Sequence, residues 1–401
     1  MDYIPLAVPF FLLAILLEII YGWIFKKNTY RINDSISSIF MGTLRSTSRV
    51  VGISIGGYFF YWLEKEYALW RWDSSSVFTW LFAFVVYDFL YYWFHRISHE
   101  RQIFWASHVA HHQSEDYNLS TALRQTGTGF LITWVFYIPL FLIGIPSYVF
   151  VTVASINLIY QFWVHTEHIP KLGWYELFFV SPSNHRVHHA QNDDYIDRNY
   201  GGVFIIWDRI FGTFQEEKKD EPCVYGIRGP LNTFNPIWAN FHIFIKMIKD
   251  MWQAHTWKEV FYVPFAKTGW SPGKPLEDSY KENFNIDDFK KYNPPASKLI
   301  NTYAIIQLLA ISTVGLFFLE SGNLNYFQSI MALGMIISTM YCISGWLDRK
   351  PIINYEIYRL AAFILITIYL YFFDANYLIV SILLAYILLN FASLPFLKRS
   401  N

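Results

Sequence analysis

Ten of the twelve histidines in this 401-residue chain fall between His95 and His189. They occur as His95-x3-His99, His108-x2-His111-His112, His165-x2-His168 and His185-x2-His188-His189. Residues three or four apart share a helix face, so each cluster can aim two or three ring nitrogens at one point. Two such clusters on separate helices can surround more than one metal ion. Cysteine offers no competing chemistry, because Cys223 and Cys342 are too few and too far apart for a thiolate site or a disulfide framework.

A lone histidine is more often a hydrogen-bonded structural residue than a ligand, and His242 and His255, outside the clusters, take that reading. His168 has no third imidazole beside it and stays outside the expected ligand set. For the clusters together a purely structural role fails, since so many partly buried rings would each need a separate polar partner. Imidazole suits iron, zinc, copper or nickel, so the ligands alone do not name the metal. Hydrolytic zinc usually needs only three protein ligands and an open position. Breaking an unactivated C–H bond needs an oxidant that side chains cannot supply and that non-haem iron with O2 can.

The elements that must hold these rings are apolar. Hydrophobic residues make up 54% of the chain and charged residues 15%, against about 25% charged in an ordinary soluble domain. The formal net charge is zero, which leaves no basic field for nucleic acid. Apolar runs predict an all-α, polytopic membrane protein with nine spans. The first five are Tyr3 to Phe25, Val50 to Leu63, Val77 to Phe94, and two within Phe130 to Phe162 separated by a turn at Gly144, Pro146 and Ser147. Four more run from Leu299 to Leu319, Tyr326 to Leu347, Tyr358 to Phe373 and Tyr377 to Leu397. The first run has neither a basic region before it nor a small-residue cleavage site after it, so it reads as a retained span.

Lys26, Lys27, Arg31, Arg45 and Arg49 follow the first span, Arg349, Lys350, Lys398 and Arg399 mark later loops on the same side, and the loops around Glu320 to Asn325 and Asp374 to Asn376 have no Lys or Arg. With nine spans these biases agree on an outer amino terminus, a cytoplasmic carboxyl terminus and cytoplasmic histidines. Residues 1–298 are expected to form the catalytic region, with a cytoplasmic cap from Val164 to Lys298, and residues 299–397 a C-terminal four-helix membrane region. Within the cap, Phe234 to Phe261 has the aromatic and lysine content of an interfacial helix. The nine-residue step from His99 to His108 would turn a straight helix by about 180°, so a bend or a new helix is expected between Arg101 and Ser107.

Around the clusters the sequence resembles the fatty acid hydroxylase and sterol desaturase superfamily of membrane di-iron enzymes. The pieces that carry the likeness are Phe94-His-Arg-Ile-Ser-His-Glu100, His108-Val-Ala-His-His112 and Asn184-His-Arg-Val-His-His189. More specific strings are Ser114 to Gln125, Gln161 to Glu167, Gly201 to Phe214 and Trp270 to Pro275, which are similar to the superfamily's pterin-dependent, ether-lipid-cleaving branch. The resemblance implies two irons held by His95, His99, His108, His111, His112, His185, His188 and His189, with His165 as an added ligand. It implies O2 as cosubstrate, a reduced tetrahydropterin as electron donor with a system that recycles it, and a membrane lipid substrate, an alkylglycerol or its lyso-phospholipid. The implied reaction hydroxylates the ether-linked carbon and releases a fatty aldehyde.

Glu115, Asp116 and Glu167 are the candidate carboxylates, able to accept an imidazole N–H and orient the ring. Glu115 is alternatively a pterin contact, with Asp116 and Tyr117 forming the wall, and a salt bridge is an equal reading for either acid. Arg124 and Gln125 are candidate polar contacts. Oxidation of a sterol, carotenoid or fatty acyl chain would use the same scaffold, and a different class of function, ion transport, stays open because intramembrane histidines also mark ion routes.

Overall fold

The structure is a computed structural model that describes residues 2–50, 55–273, 285–315, 325–373 and 377–400. Parts of the second and sixth expected spans (51–54 and 316–319), most or all of the loops at Glu320 and Asp374, and Lys274 and Pro275 lie outside them. Among the described residues the chain is helical, with three isolated β-bridges and no strand. It divides into two compact units: residues 2–31, 54–231 and 239–291, and residues 32–53, 232–238 and 292–400.

The first unit opens with α1 (Ile4–Ile24), whose Leu6, Phe10, Leu13 and Leu17 are exposed as lipid-facing residues would be. The second unit takes α2 (Ile32–Val50), an amphipathic helix that no apolar run announced. The first unit resumes with α3 (Ile55–Tyr67) and α4 (Val77–Glu100). At Arg101 the backbone turns extended (φ −130°, ψ 130°), and the short helices α5 (Gln102–Ala106) and α6 (Val109–His112) follow. The break falls where the spacing of the histidines required one. It is pinned from outside: Gln102 Nε2 donates to the Trp270 carbonyl at 3.0 Å, and the Gln102 N–H to that of Ala266 at 3.1 Å.

After α7 (Leu119–Ala122) the chain departs from expectation. The first half of the Phe130 to Phe162 stretch is a run of 3-10 turns ending in α8 (Ile138–Leu142), and only its second half is a long helix, α9 (Ser147–Trp163, 17 residues). Pro139, without an N–H, starts α8 afresh, and Tyr137, Leu140 and Phe141 are buried with Phe60 and Val149 in a core. The turn comes where Gly144, Pro146 and Ser147 placed it. Gly144 takes φ +89°, and a Cβ there would lie 1.7 Å from the Trp70 carbonyl oxygen. Glu64 accepts the Ser147 N–H at 2.8 Å, capping α9.

The unit continues with α10 (Pro182–His189), α11 (Ile206–Ile210) and α13 (Trp257–Tyr262), the last preceded by α12 (Pro236–Gln253), along which Phe241, Ile248 and Trp252 are exposed. In the second unit, α14 (Lys298–Thr313), α15 (Tyr326–Leu347), α16 (Ile353–Phe373) and α17 (Tyr377–Ser400) bury Ile300, Met340, Trp346 and Leu397 with Phe40 of α2. Among the described residues α1, α4, α15, α16 and α17 are long and apolar enough to cross a membrane, five in all, which makes this an integral membrane protein.

Candidate metal centre

Four separate segments deliver the histidines. His95 and His99 end α4; His108 to His112 lie on α6 and its approach; His165 follows α9; and His185, His188 and His189 lie on α10. Local sequence explains α10: Ser181 caps it with Asn184 in a reciprocal capping box, and Pro182 occupies the first turn.

Nine rings gather in two buried groups, His95, His99, His108, His112 and His188 in one and His111, His165, His185 and His189 in the other, with ligand atoms in each group within 4.8 Å of one another. Pairs four apart (His95 and His99, His108 and His112, His185 and His189) stay together, whereas His111 and His188 cross to the opposite group. Inside the first group, His112 Nε2 lies 3.1 Å from His99 Nε2 and 3.2 Å from His108 Nε2. Inside the second, His185 Nε2 lies 3.1 Å from that of His165 and 3.2 Å from that of His189.

The far side of each ring shows what these nitrogens carry. His95 Nδ1 donates to the Tyr200 carbonyl at 2.8 Å, His188 Nδ1 to Arg198 at 2.9 Å, His111 Nδ1 to Arg124 at 2.8 Å and His165 Nδ1 to Gln161 at 2.7 Å. A carbonyl only accepts, so in the neutral ring the proton sits on Nδ1 and Nε2 keeps a bare lone pair. His111 and His165 thereby point two lone pairs at each other across 3.4 Å. His95 Nε2 and His188 Nε2 are buried without a hydrogen-bond partner. Protonation would relieve the clash, but burial first, and the neighbouring His111 second, hold His165 well below the ordinary imidazole range, and burial with neighbouring imidazoles does the same at His108, His112, His185 and His189. Converging lone pairs that refuse protons fit metal cations, and imidazole nitrogen is a suitable donor for iron.

The loop supplying two of the carbonyls is itself built rigidly. Asn199 adopts φ +55°, a conformation its short amide tolerates, and its Nδ2 donates to the Asn184 and Gln215 carbonyls at 3.0 and 2.7 Å. Asp208 accepts the Tyr200 and Gly201 N–H groups at 2.7 and 2.8 Å and the Thr213 hydroxyl at 2.6 Å. Asp88 of α4 accepts the Val203 and Phe204 N–H groups, the Trp207 indole and the Asn157 amide. Sequence reasoning missed Asp88, Asn199 and Asp208; the conspicuous string Gly201 to Phe214 was the signal that something there mattered.

The carboxylates stand elsewhere. The part foreseen for Glu115, Asp116 or Glu167, accepting an imidazole N–H, is taken at these four rings by backbone carbonyls, which orient a ring without burying a charge beside it. Asp116 is ion-paired to Arg31 at 2.8 Å and Lys291 at 2.7 Å, Glu115 lies 3.6 Å from Arg31, and Glu167 is exposed. Tyr117 is buried, its hydroxyl donating to the Val164 carbonyl at 2.9 Å and its ring stacked on Tyr225, with ring centroids 4.8 Å apart. Arg124 braces α6 through the Ala110 carbonyl at 2.8 Å, and Gln125 bonds locally to that of Ala122 at 3.0 Å. His168 belongs to neither group.

The fatty acid hydroxylase family pattern matches residues 80–213, the segment that holds all nine rings. Alkylglycerol monooxygenase of Homo sapiens is 40% identical over 355 residues, covering 87% of this chain and 79% of that protein. The enzyme of the same name from Caenorhabditis elegans is 33% identical, covering 81% of this chain and 68% of that protein. An ornithine lipid hydroxylase of Rhizobium tropici is 29% identical over 36% of this chain and 44% of its own length. No solved structure matches the chain. Identity at this level, running well beyond the histidine segment, shows that the chain belongs to the alkylglycerol monooxygenase family.

Proposed function

We propose that the protein is a di-iron monooxygenase that hydroxylates the ether-linked carbon of alkylglycerol lipids. The observation that carries this reading is the pair of buried imidazole groups, four of whose rings are held by backbone carbonyls with a bare Nε2 turned inward, lying within the family-matched segment. Iron bound there, with O2, supplies the oxidant that an aliphatic C–H bond requires. The net change inserts one oxygen atom into the C–H bond beside the ether oxygen. The other leaves as water, with two electrons from a reduced tetrahydropterin and two protons. The hemiacetal then collapses to a fatty aldehyde and a glycerol hydroxyl.

The chain's own residues position and exclude. The carbonyls of Gln161, Arg124, Arg198 and Tyr200 fix four rings in one tautomer. Tyr117 and Tyr200, both buried, lie against the ring groups and keep water from them. Glu115 is the proposed contact for the pterin, with Asp116 and Tyr117 as the proposed wall. Asp116 and Glu167 are proposed to support that edge electrostatically. A nine-span arrangement, counting the broken run before Ser147 as one crossing, is proposed from the apolar runs, and the basic-residue bias supports a site facing the cytoplasm under a cap over residues 164–298. Residues 1–298 are proposed as the catalytic region and 299–397 as a membrane-anchoring region.

The test is an anaerobically purified, iron-loaded protein given 1-O-hexadecylglycerol, reduced tetrahydropterin and heavy-isotope O2. The expected product is hexadecanal, with the label entering at the former ether carbon, and no oxygen-dependent cleavage of the matching ester. Robust oxidation of a sterol, carotenoid or fatty acyl substrate without aldehyde from the ether rejects ether cleavage and keeps the oxygenase. Ion movement by an iron-free protein rejects both.

A further inference from the structure

His168 is the one member of the histidine spacings left out of both metal groups, and it ends a groove. A cavity of about 790 Å³ runs between α1, from Phe10 to Tyr21, and α9 with the turn that follows it. A second, of about 580 Å³, shares Phe10 and Ile159 with it and continues toward Tyr3. The larger is lined by aliphatic and aromatic side chains except near one end, where Glu18, Thr166 and His168 stand. Glu18 is committed: it accepts the Leu119 N–H at 2.8 Å and the hydroxyls of Tyr30 and Thr166. The Thr166 hydroxyl in turn accepts the His168 N–H at 3.2 Å. His168 Nε2 is buried and has no hydrogen-bond partner. The groove therefore has a largely apolar body and, at one end, a buried polar atom left unanswered.

From the oxidation reading developed above, and resting on it, we infer that this groove binds the alkyl chain of a single-tailed glycerol lipid, with a glycerol hydroxyl hydrogen-bonded to His168 Nε2. Three observations favour a lipid chain over a protein segment. The groove lies along a membrane-spanning helix whose neighbouring Leu13 and Leu16 are exposed, so hydrocarbon is what surrounds it. Phe10 to Tyr21 covers about 16 Å at 1.5 Å per residue, close to half of the roughly 30 Å hydrocarbon core and so to one leaflet. The polar lining is confined to one end, the pattern of a chain with a single headgroup. Thr166 directly follows His165 in the chain, so the headgroup end stands on the same turn as a member of the second metal group. The site would recruit ether lipid laterally from the bilayer to the histidines.

The experiment uses the full iron-loaded chain in phosphatidylcholine nanodiscs and a 1-O-hexadecylglycerol carrying a photoreactive diazirine on its chain. Labelling is expected in peptides covering 10–21 and 159–169, reduced about tenfold by excess unlabelled 1-O-hexadecylglycerol and by Ala14→Trp, which fills the groove. His168→Leu should raise KM for 1-O-hexadecylglycerol about tenfold, the loss of one buried hydrogen bond, with kcat and iron content unchanged. His168→Gln, whose amide reaches the position of Nε2, should restore it. Label spread evenly over exposed helix faces and insensitive to competitor, meaning bulk lipid only, overturns the site, as does a fall in kcat or iron in His168→Leu that Gln does not rescue. Competed labelling without aldehyde formation supports the site and rejects ether cleavage. Aldehyde formation with the groove unlabelled overturns the site and leaves ether cleavage standing.

Discussion

Arg359 and Glu356 in the second unit are buried as the clustered histidines in the first are, yet their polar atoms are answered. The guanidinium reaches Glu356 at 2.7 and 2.8 Å, Thr339 at 3.1 Å, Tyr386 at 2.8 Å, Tyr303 at 3.2 Å and Asn390 at 2.9 Å, while Trp346 donates to the Glu356 carboxylate at 2.8 Å. Gln307 and Tyr386 close the network. In the histidine groups the outer nitrogens of four rings are satisfied, and the inner ones face each other or nothing. A closed polar network in an apolar bundle specifies which helices meet and in what register. An open one, held rigidly from behind, is organised around something still to be bound. Burial of polar residues in a membrane protein thus has two meanings, and the hydrogen-bond inventory tells them apart.

The harshest way to break this contrast is to remove one inner nitrogen. His111→Ala or His188→Ala should lower turnover by at least about a hundredfold and deplete iron, measured by metal analysis and product formation on protein that still inserts into membranes. Normal iron and turnover in both variants would deny the groups a shared role. In the closed network the deficit should appear as stability instead. Arg359→Met leaves a buried carboxylate unpaired and should cost about 3–5 kcal/mol in detergent unfolding, with iron per folded molecule unchanged.

Acidity should separate the two regions further. His108, His112, His165, His185, His188 and His189 are held below the ordinary value of 6.5 by burial and by one another. Below pH 6.5 the unfolded chain takes up protons that the folded, metal-free protein refuses. Their contribution to stability is therefore whole above that pH and is lost as pH falls through the depressed folded values, by up to about 1.4 kcal/mol per pH unit for each proton. The expected result is a melting temperature of the metal-stripped protein that drops on acidification from pH 7 to 5; a flat profile would contradict it. The smallest effect is expected at Asp208, which touches no ring but fixes the loop bearing the Tyr200 and Arg198 carbonyls. Asp208→Ala should weaken iron retention about tenfold against a chelator, where a surface carboxylate such as Glu216 would change nothing.

Much of the site was legible because helix geometry is local. The spacings of His95 with His99, His108 with His112 and His185 with His189 place each pair on one face, and the step from His99 to His108 demanded the break found at Arg101. The crossing of His111 and His188 to opposite groups depends on how α6 and α10 approach α4, which no spacing encodes. Nor do the orienting groups have a sequence signature, since any residue supplies a carbonyl and only the folded loop selects Tyr200 and Arg198. In the fold, strongly apolar α1, α4, α15 and α17 were readable. The place of α2 among the C-terminal helices was not, because its mixed composition marks an amphipathic face without naming its partner. The broken run before Ser147 shows the limit of hydropathy, which measures apolar content and not helical continuity.

The most direct test of the central claim, that nine imidazoles form two metal sites, is the metal content of the intact protein. Protein purified and iron-loaded without oxygen, washed with a weak chelator, should carry about two irons per chain, matching the two groups, and iron-57 Mössbauer spectra of it should show a coupled pair rather than isolated ions. One iron or none per chain after loading, or stoichiometric zinc that iron cannot replace, would contradict the account.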